Sequence, residues 1–189
     1  MRFFSGFSLK GEAALFDEII APYSDNPYVV AGFSYGAMKA VEYVYGTQER
    51  IDRVILLSPS FFRGRSEAFK KAQIRYYKKD AEKYLDRFLE NAAFPASKTL
   101  LQPYAVNAAP EELEALLRYE WPESKLEAIA RRGTLIETYL GKEDRIIDAE
   151  AAHAFFRNFG ESYLFKPYGH ILHEGDESGE NQSRSRYGE

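Results

Sequence analysis

Three side chains far apart in the chain, Ser34, Asp144 and His170, are of the types that together cleave an acyl bond. Ser34 is the centre of Gly32-Phe33-Ser34-Tyr35-Gly36, a G-x-S-x-G. That pattern arises often by chance, so its weight comes from its flanks. Tyr28-Val29-Val30-Ala31 reads as a short buried strand, and Ala37 to Tyr45 carries Met38, Val41 and Tyr45 at helical spacing before Gly46. A serine between that strand and that helix occupies a sharp turn, with its hydroxyl pushed out at the carboxyl edge of the sheet. A hydroxyl is a weak nucleophile until a base takes its proton, and the base needs a third group to hold its tautomer. His170, in Tyr168-Gly169-His170, is the expected base; His173 and His153, on a helix, are its rivals. Asp144 is the expected acid, with Glu143 and Asp148 as alternatives. Two backbone N–H groups must also meet the developing negative oxygen. Tyr35 supplies one, and Phe7, after Ser5-Gly6, is the candidate for the other.

The elements that must position these groups are legible as alternating strands and helices. Strands are expected at Arg2 to Ser5, at Tyr28 to Ala31, at Arg53 to Leu57, at Thr134 to Leu140 and at Ser162 to Lys166. Helices are expected from Glu12 to Ile20, closed by Pro22, along the stretch after Ser34, and from Ala149 to Phe159 with Asp148 as its cap. Continuous apolar strands joined by helices imply an α/β fold with a sheet of about five mainly parallel strands. Phe61 to Arg132 shows no strand. It reads as four helices, two of them Ser66 to Lys79 and Asp80 to Asn91, a third opened by Pro110 and running to near Trp121-Pro122, and a fourth from Glu123 to Arg132. The expected organisation is a core of 1–60 and 133–173, a helical cap of 61–132, and a disordered tail of 174–189.

Composition narrows the classes. The 189 residues suffice for one buried core, and a net charge of −4 argues against a nucleic-acid binder. Cysteine is absent, which removes disulfides and thiolate chemistry. No run of 18 apolar residues is present, the N-terminal stretch is too short for a signal peptide, and neither metal nor cofactor is called for. A cytoplasmic protein, off the membrane, is expected.

The chain order serine, acid, histidine, each after a strand, is that of the α/β-hydrolases. More closely, the chain resembles the short, BioV-type pimeloyl-acyl carrier protein methyl ester esterases of biotin synthesis. The likeness runs from Met1 to about His173 and includes Arg2-Phe3-Phe4-Ser5-Gly6-Phe7, Gly32-Phe33-Ser34, Leu57-Ser58-Pro59, Asp144-Arg145-Ile146 and Gly169-His170. The resemblance implies Ser34 as nucleophile, Asp144 as acid, His170 as base, and an acyl carrier protein bearing a pimeloyl methyl ester as partner. Two departures from ordinary α/β-hydrolases stand out. Ser5-Gly6 replaces the frequent His-Gly of the oxyanion loop, and one strand-helix unit before the elbow strand is missing. The usual right-handed crossover would put the Glu12–Ile20 helix on the same face as the elbow helix. The resemblance places it on the opposite face, and we take that reading because the alternative leaves a bare apolar face, to be covered only by a homodimer.

The cap carries the expected partner surface. Phe61 to Ala92 holds nine Lys or Arg against five Asp or Glu in an acidic chain. At about 100° per residue, Lys71, Arg75, Lys78 and Lys79 fall in an arc of roughly 100°, opposite Phe69 and Tyr76. Such a stripe suits an acidic helical partner, as the carrier protein would be, or is simply a solvated helix face. Arg63 and Arg65, at the entry to the cap, are the candidates for the prosthetic-group phosphate. Other hydrolases of small acyl esters or thioesters, and a non-catalytic binder, are the competing functions.

Overall fold

The computed structural model describes residues 1–175; the remainder of the expected tail lies outside the described residues. Five strands form one sheet in the order β1-β2-β3-β4-β5, parallel throughout. They are β1 (Arg2–Phe4), β2 (Val29–Phe33), β3 (Arg53–Leu57), β4 (Leu135–Gly141) and β5 (Glu161–Phe165). Val30 lies beside Val54, and Val54 beside Ile136, so alternate residues share a face across the strands. Val30, Val54, Leu56, Ile136 and Leu140 bury against three helices: α2 (Tyr35–Gly46), α6 (Glu123–Arg131) and α7 (Ala149–Phe156). Val29, Ala31, Phe33, Ile55 and Leu57 point the other way, onto Phe16, Ile20, Leu89, Leu101 and Ile171.

The segment Glu12–Ile20 therefore covers the face opposite α2. The steps β1 to β2, β2 to β3 and β4 to β5 all progress in one direction across the sheet. With α2 and α7 on one face and Phe16 and Ile20 on the other, the first connection has the opposite hand to those two. Taking the usual right-handed sense for them, it is left-handed. Its form also differs from the single helix expected. Glu12–Phe16 is 3-10, only Asp17–Ile20 (α1) is α-helical, and Ala21–Tyr23 tightens again. Gly11 turns the chain into the segment at φ 79° without a side-chain cap, and Pro22 has no N–H to extend the ladder.

Between β3 and β4 the chain forms α3 (Glu67–Lys79), α4 (Ala81–Ala93), α5 (Pro110–Arg118) and α6. Ser66 and Asp80 cap α3 and α4 by accepting the N–H groups of Phe69 and Lys83. One isolated bridge, Leu9 with Ala105, ties this region to the loop after β1. The third of these helices, α5, ends before Trp121 because the chain turns inward there. Trp121 is buried at φ 50° and its Nε1–H donates to the Ser60 carbonyl at 3.0 Å. Tyr119 and Lys125 both reach Glu42 of α2, fastening the insertion to the core. The last helix, α7, stops at Phe156 rather than Phe159, where Arg157 to Phe159 wind into tighter turns.

Candidate active site

The elbow is built by glycines and held by hydrogen bonds. A Cβ on Gly32 would overlap the Gly36 carbonyl, and one on Gly36 would overlap the Phe4 carbonyl of β1. Helix α2 can thus start against two strands only if both positions lack side chains. Ser34 then takes φ 52° and ψ −112°, a backbone conformation of order 1–3 kcal/mol above the ordinary wells. Its N–H donates to Leu57 O at 2.8 Å, while its carbonyl accepts from Ala37 and Ser60. The N-terminus of α2 begins at the next residue, with its partial positive charge beside the hydroxyl.

Two other loops at the same sheet edge deliver the partners. His170 Nε2 lies 2.9 Å from Ser34 Oγ, and His170 Nδ1 lies 2.6 Å from Asp144 Oδ2. A carboxylate only accepts, so Nδ1 carries the proton and Nε2 is left to accept from the serine hydroxyl. Asp144 Oδ1 accepts the N–H groups of Ile146 at 2.7 Å and Ile147 at 3.1 Å, which fixes the carboxylate with its second oxygen free for the imidazole. Both the His170 and Asp144 side chains are fully buried. The rivals are occupied elsewhere. Asp148 caps α7 through Ala151 N–H, Glu143 is exposed, His173 bonds to Leu15 O and His153 to Ser162 Oγ.

The loop after β1, expected to supply an oxyanion donor, is braced by a group that sequence reasoning missed. Glu12, at 0% exposure, accepts the Gly6 N–H at 2.6 Å through Oε1. Ser5 Oγ accepts from Gly11 N–H across the same loop. Among the described residues the N–H groups of Phe7 and Tyr35 have no acceptor; Tyr35 opens α2 and so has no intrahelical one. The Phe7 ring is buried edge-on against Tyr77 and Phe88, joining this loop to α3 and α4.

Ser34 and Phe7 open onto a cavity of about 240 Å³ between core and insertion. Phe62, Phe69, Phe88, Leu113, Leu116, Leu117 and Ile146 make it apolar, and Gln73, Tyr84, Arg87, Asn91 and Arg145 add polar groups. Tyr84 donates to Gln73 Oε1 at 3.0 Å, and burial foremost pushes its phenol up to about 12, so it stays a donor. Burial, then Glu112, also raises the Tyr35 phenol.

The expected carrier-binding cations divide. Lys71, Arg75, Lys78 and Lys79 are all exposed on α3 and none is ion-paired among the described residues. The buried side of α3 is not the one expected, however. Tyr77 is 3% exposed and Tyr76 52%, because the helix is rotated to seat Tyr77 against Phe7 and Tyr84, with its hydroxyl donating to Ala108 O. Arg63 is engaged with Glu123 at 2.9 Å and Arg65 lies over the Phe69 ring; neither lines the cavity. Among the described residues no three His, Asp or Glu side chains cluster as a metal ion would need, and no helix is long and apolar enough to cross a membrane.

A serine in a strained strand-to-helix turn, at the edge of a parallel sheet and in line with a buried His–Asp pair, is the arrangement of one large fold family. The chain belongs to the alpha/beta hydrolase family, whose sequence profile matches residues 5–180. Among solved structures it is similar to an esterase from Exiguobacterium antarcticum, at 23% identity and a TM-score of 0.63 over 84% of this chain and 65% of that one. The naproxen esterase (carboxylesterase NP) of Bacillus subtilis follows at 16% identity and 0.58, over 90% and 76%. MenH from S. aureus stands at 15% and 0.55, over 90% and 85%. The chain thus spans less than two thirds of the first esterase's length. At these identities the likeness is one of fold. No curated protein matches the chain.

Proposed function

We propose that this protein is a serine esterase that hydrolyses the terminal methyl ester of pimeloyl-acyl carrier protein, releasing methanol, in biotin synthesis. The observation that carries the hydrolytic part is the unbroken hydrogen-bond chain Asp144–His170–Ser34 at the wall of an apolar cavity. Ser34 Oγ attacks the ester carbonyl as His170 Nε2 takes its proton. The new oxyanion accepts from the N–H groups of Phe7 and Tyr35. The C–O bond to the methoxy group breaks, and Nε2–H passes the proton to it, giving methanol and an acyl-Ser34. Water attacks that acyl group with His170 again as base, freeing the serine and a carboxylic acid that ionises. Asp144 keeps its charge throughout, steadying the imidazolium formed in each half.

The substrate assignment rests on the resemblance of the N-terminal run and on the stripe of Lys71, Arg75, Lys78 and Lys79, unpaired among the described residues, which suits an acidic carrier. The small cavity equally suits a carboxylesterase of short free esters, the second reading. One experiment separates them. Incubated with carrier-bound pimeloyl methyl ester, the protein should remove the mass of one methylene. The triple variant Lys71→Glu, Arg75→Glu, Lys78→Glu should lower kcat/KM for that substrate at least about tenfold more than for a small nitrophenyl ester. Equal loss on both would remove the carrier protein from the account.

A further inference from the structure

Two arginines that the hydrolytic reading does not use line the cavity beside Ser34. Arg87 comes from α4 and Arg145 from the loop after β4, one residue past Asp144, so the two reach the cavity from the insertion and from the core. Most of the remaining wall is aromatic or aliphatic, and the other polar groups are largely engaged: Tyr84 with Gln73, and Asn91 with the Arg87 carbonyl. Neither guanidinium has a carboxylate within ion-pair reach among the described residues. Several neighbouring cations do. Arg63 meets Glu123, Arg118 meets Glu67 and Glu114, and Asp86, adjacent to Arg87, is taken by Lys98 at 2.5 Å. The Arg145 guanidinium lies over the Phe94 ring, a cation–π contact that involves no carboxylate. Both arginines are exposed and so accessible to an anion from solvent.

We propose that Arg87 and Arg145 form an anion-binding subsite at this cavity, so that the preferred ester carries a carboxylate or phosphate on the far side of its acyl chain from the scissile bond. Guanidinium forks recognise both oxyanions. The proposal rests on Ser34 being the reacting group, since it assigns the ester end to the serine and the charged end to the arginines.

Equilibrium binding to Ser34→Ala, read by calorimetry, tests it without turnover. In the first arm, monomethyl pimelate is compared with neutral dimethyl pimelate. In the second, the phosphopantetheine thioester of the pimeloyl methyl ester is compared with its dephosphorylated pantetheine form. We expect the anionic member of at least one pair to bind about tenfold or more tightly, the arm identifying carboxylate or phosphate. Arg87→Gln with Arg145→Gln should bring that ratio close to one, and the two Arg→Lys changes should restore part of it. A ratio near one in both arms, or one that survives the double Gln variant, overturns the subsite. The esterase reading fails separately, if the wild-type protein with Ser34 intact leaves every one of these methyl esters uncleaved.

Discussion

Glu12 sets how firmly the oxyanion loop is held. Its Oε1 takes the Gly6 N–H, one residue before the Phe7 N–H proposed to meet the oxyanion, and its Oε2 has no partner among the described residues although it is buried. A side chain that acts through a neighbouring loop should affect the transition state more than substrate binding. Glu12→Ala should therefore lower kcat about tenfold or more with KM little changed, while Glu12→Gln, whose amide oxygen can still accept, should recover most of the rate. Steady-state kinetics on a nitrophenyl ester decide it; a Gln variant as slow as the Ala variant would show that the hydrogen bond is not what matters. The placing of Ser34, Asp144 and His170 at one sheet edge was legible because each lies in a loop just after a segment readable as a strand. Glu12 was not. A glutamate at the start of a helix ordinarily reads as a solvated acid favoured by the helix dipole, and its burial appears only once the loop after β1 folds back over it. Arg87 and Arg145 were not singled out either: nothing in their sequence spacing tells that α4 and the loop after β4 converge on the cavity, whereas Arg63 and Arg65 lie outside its lining.

The first connection shows burial overriding handedness. Phe33 and Leu57 would face water if Phe16 and Ile20 packed beside α2, and the crossover accepts the disfavoured hand to cover them. Phe16 is 2% exposed, and its ring sits 4.8 Å from that of Phe33, which in turn lies 5.1 Å from the His170 imidazole. Phe16→Ala should cost about 3–5 kcal/mol in chemical denaturation, the usual range for emptying such a site. A loss under about 1 kcal/mol would mean that this element is not part of the cooperative core. The strands and the existence of each helix were visible from apolar periodicity. The 3-10 character of Glu12–Phe16 and the rotation of α3 that buries Tyr77 in place of Tyr76 were not, because both are set by tertiary partners: Gly6 for the one, Phe7 and Tyr84 for the other.

In the molecule as a whole, both the core and the helical insertion carry tyrosines withdrawn from water. Tyr35, Tyr77, Tyr84, Tyr119 and Tyr139 all have phenols raised above 10, with burial as the leading cause in each. The folded state then keeps protons that the unfolded chain releases near pH 10, so stability falls as pH rises from there, up to about 12 in the case of Tyr84. Scanning calorimetry should show a Tm that declines steeply above pH 10, and Tyr84→Phe should remove part of the decline. A Tm level up to pH 12 would mean that these phenols ionise freely in the folded protein. The central claim is that one serine, activated by one histidine, does the chemistry, and labelling with a fluorophosphonate tests it most directly. Digestion and mass spectrometry should find a single adduct on the peptide containing Ser34, formed at least about 10³-fold more slowly in His170→Ala. An adduct on any other residue, or an unchanged rate in that variant, would contradict the account.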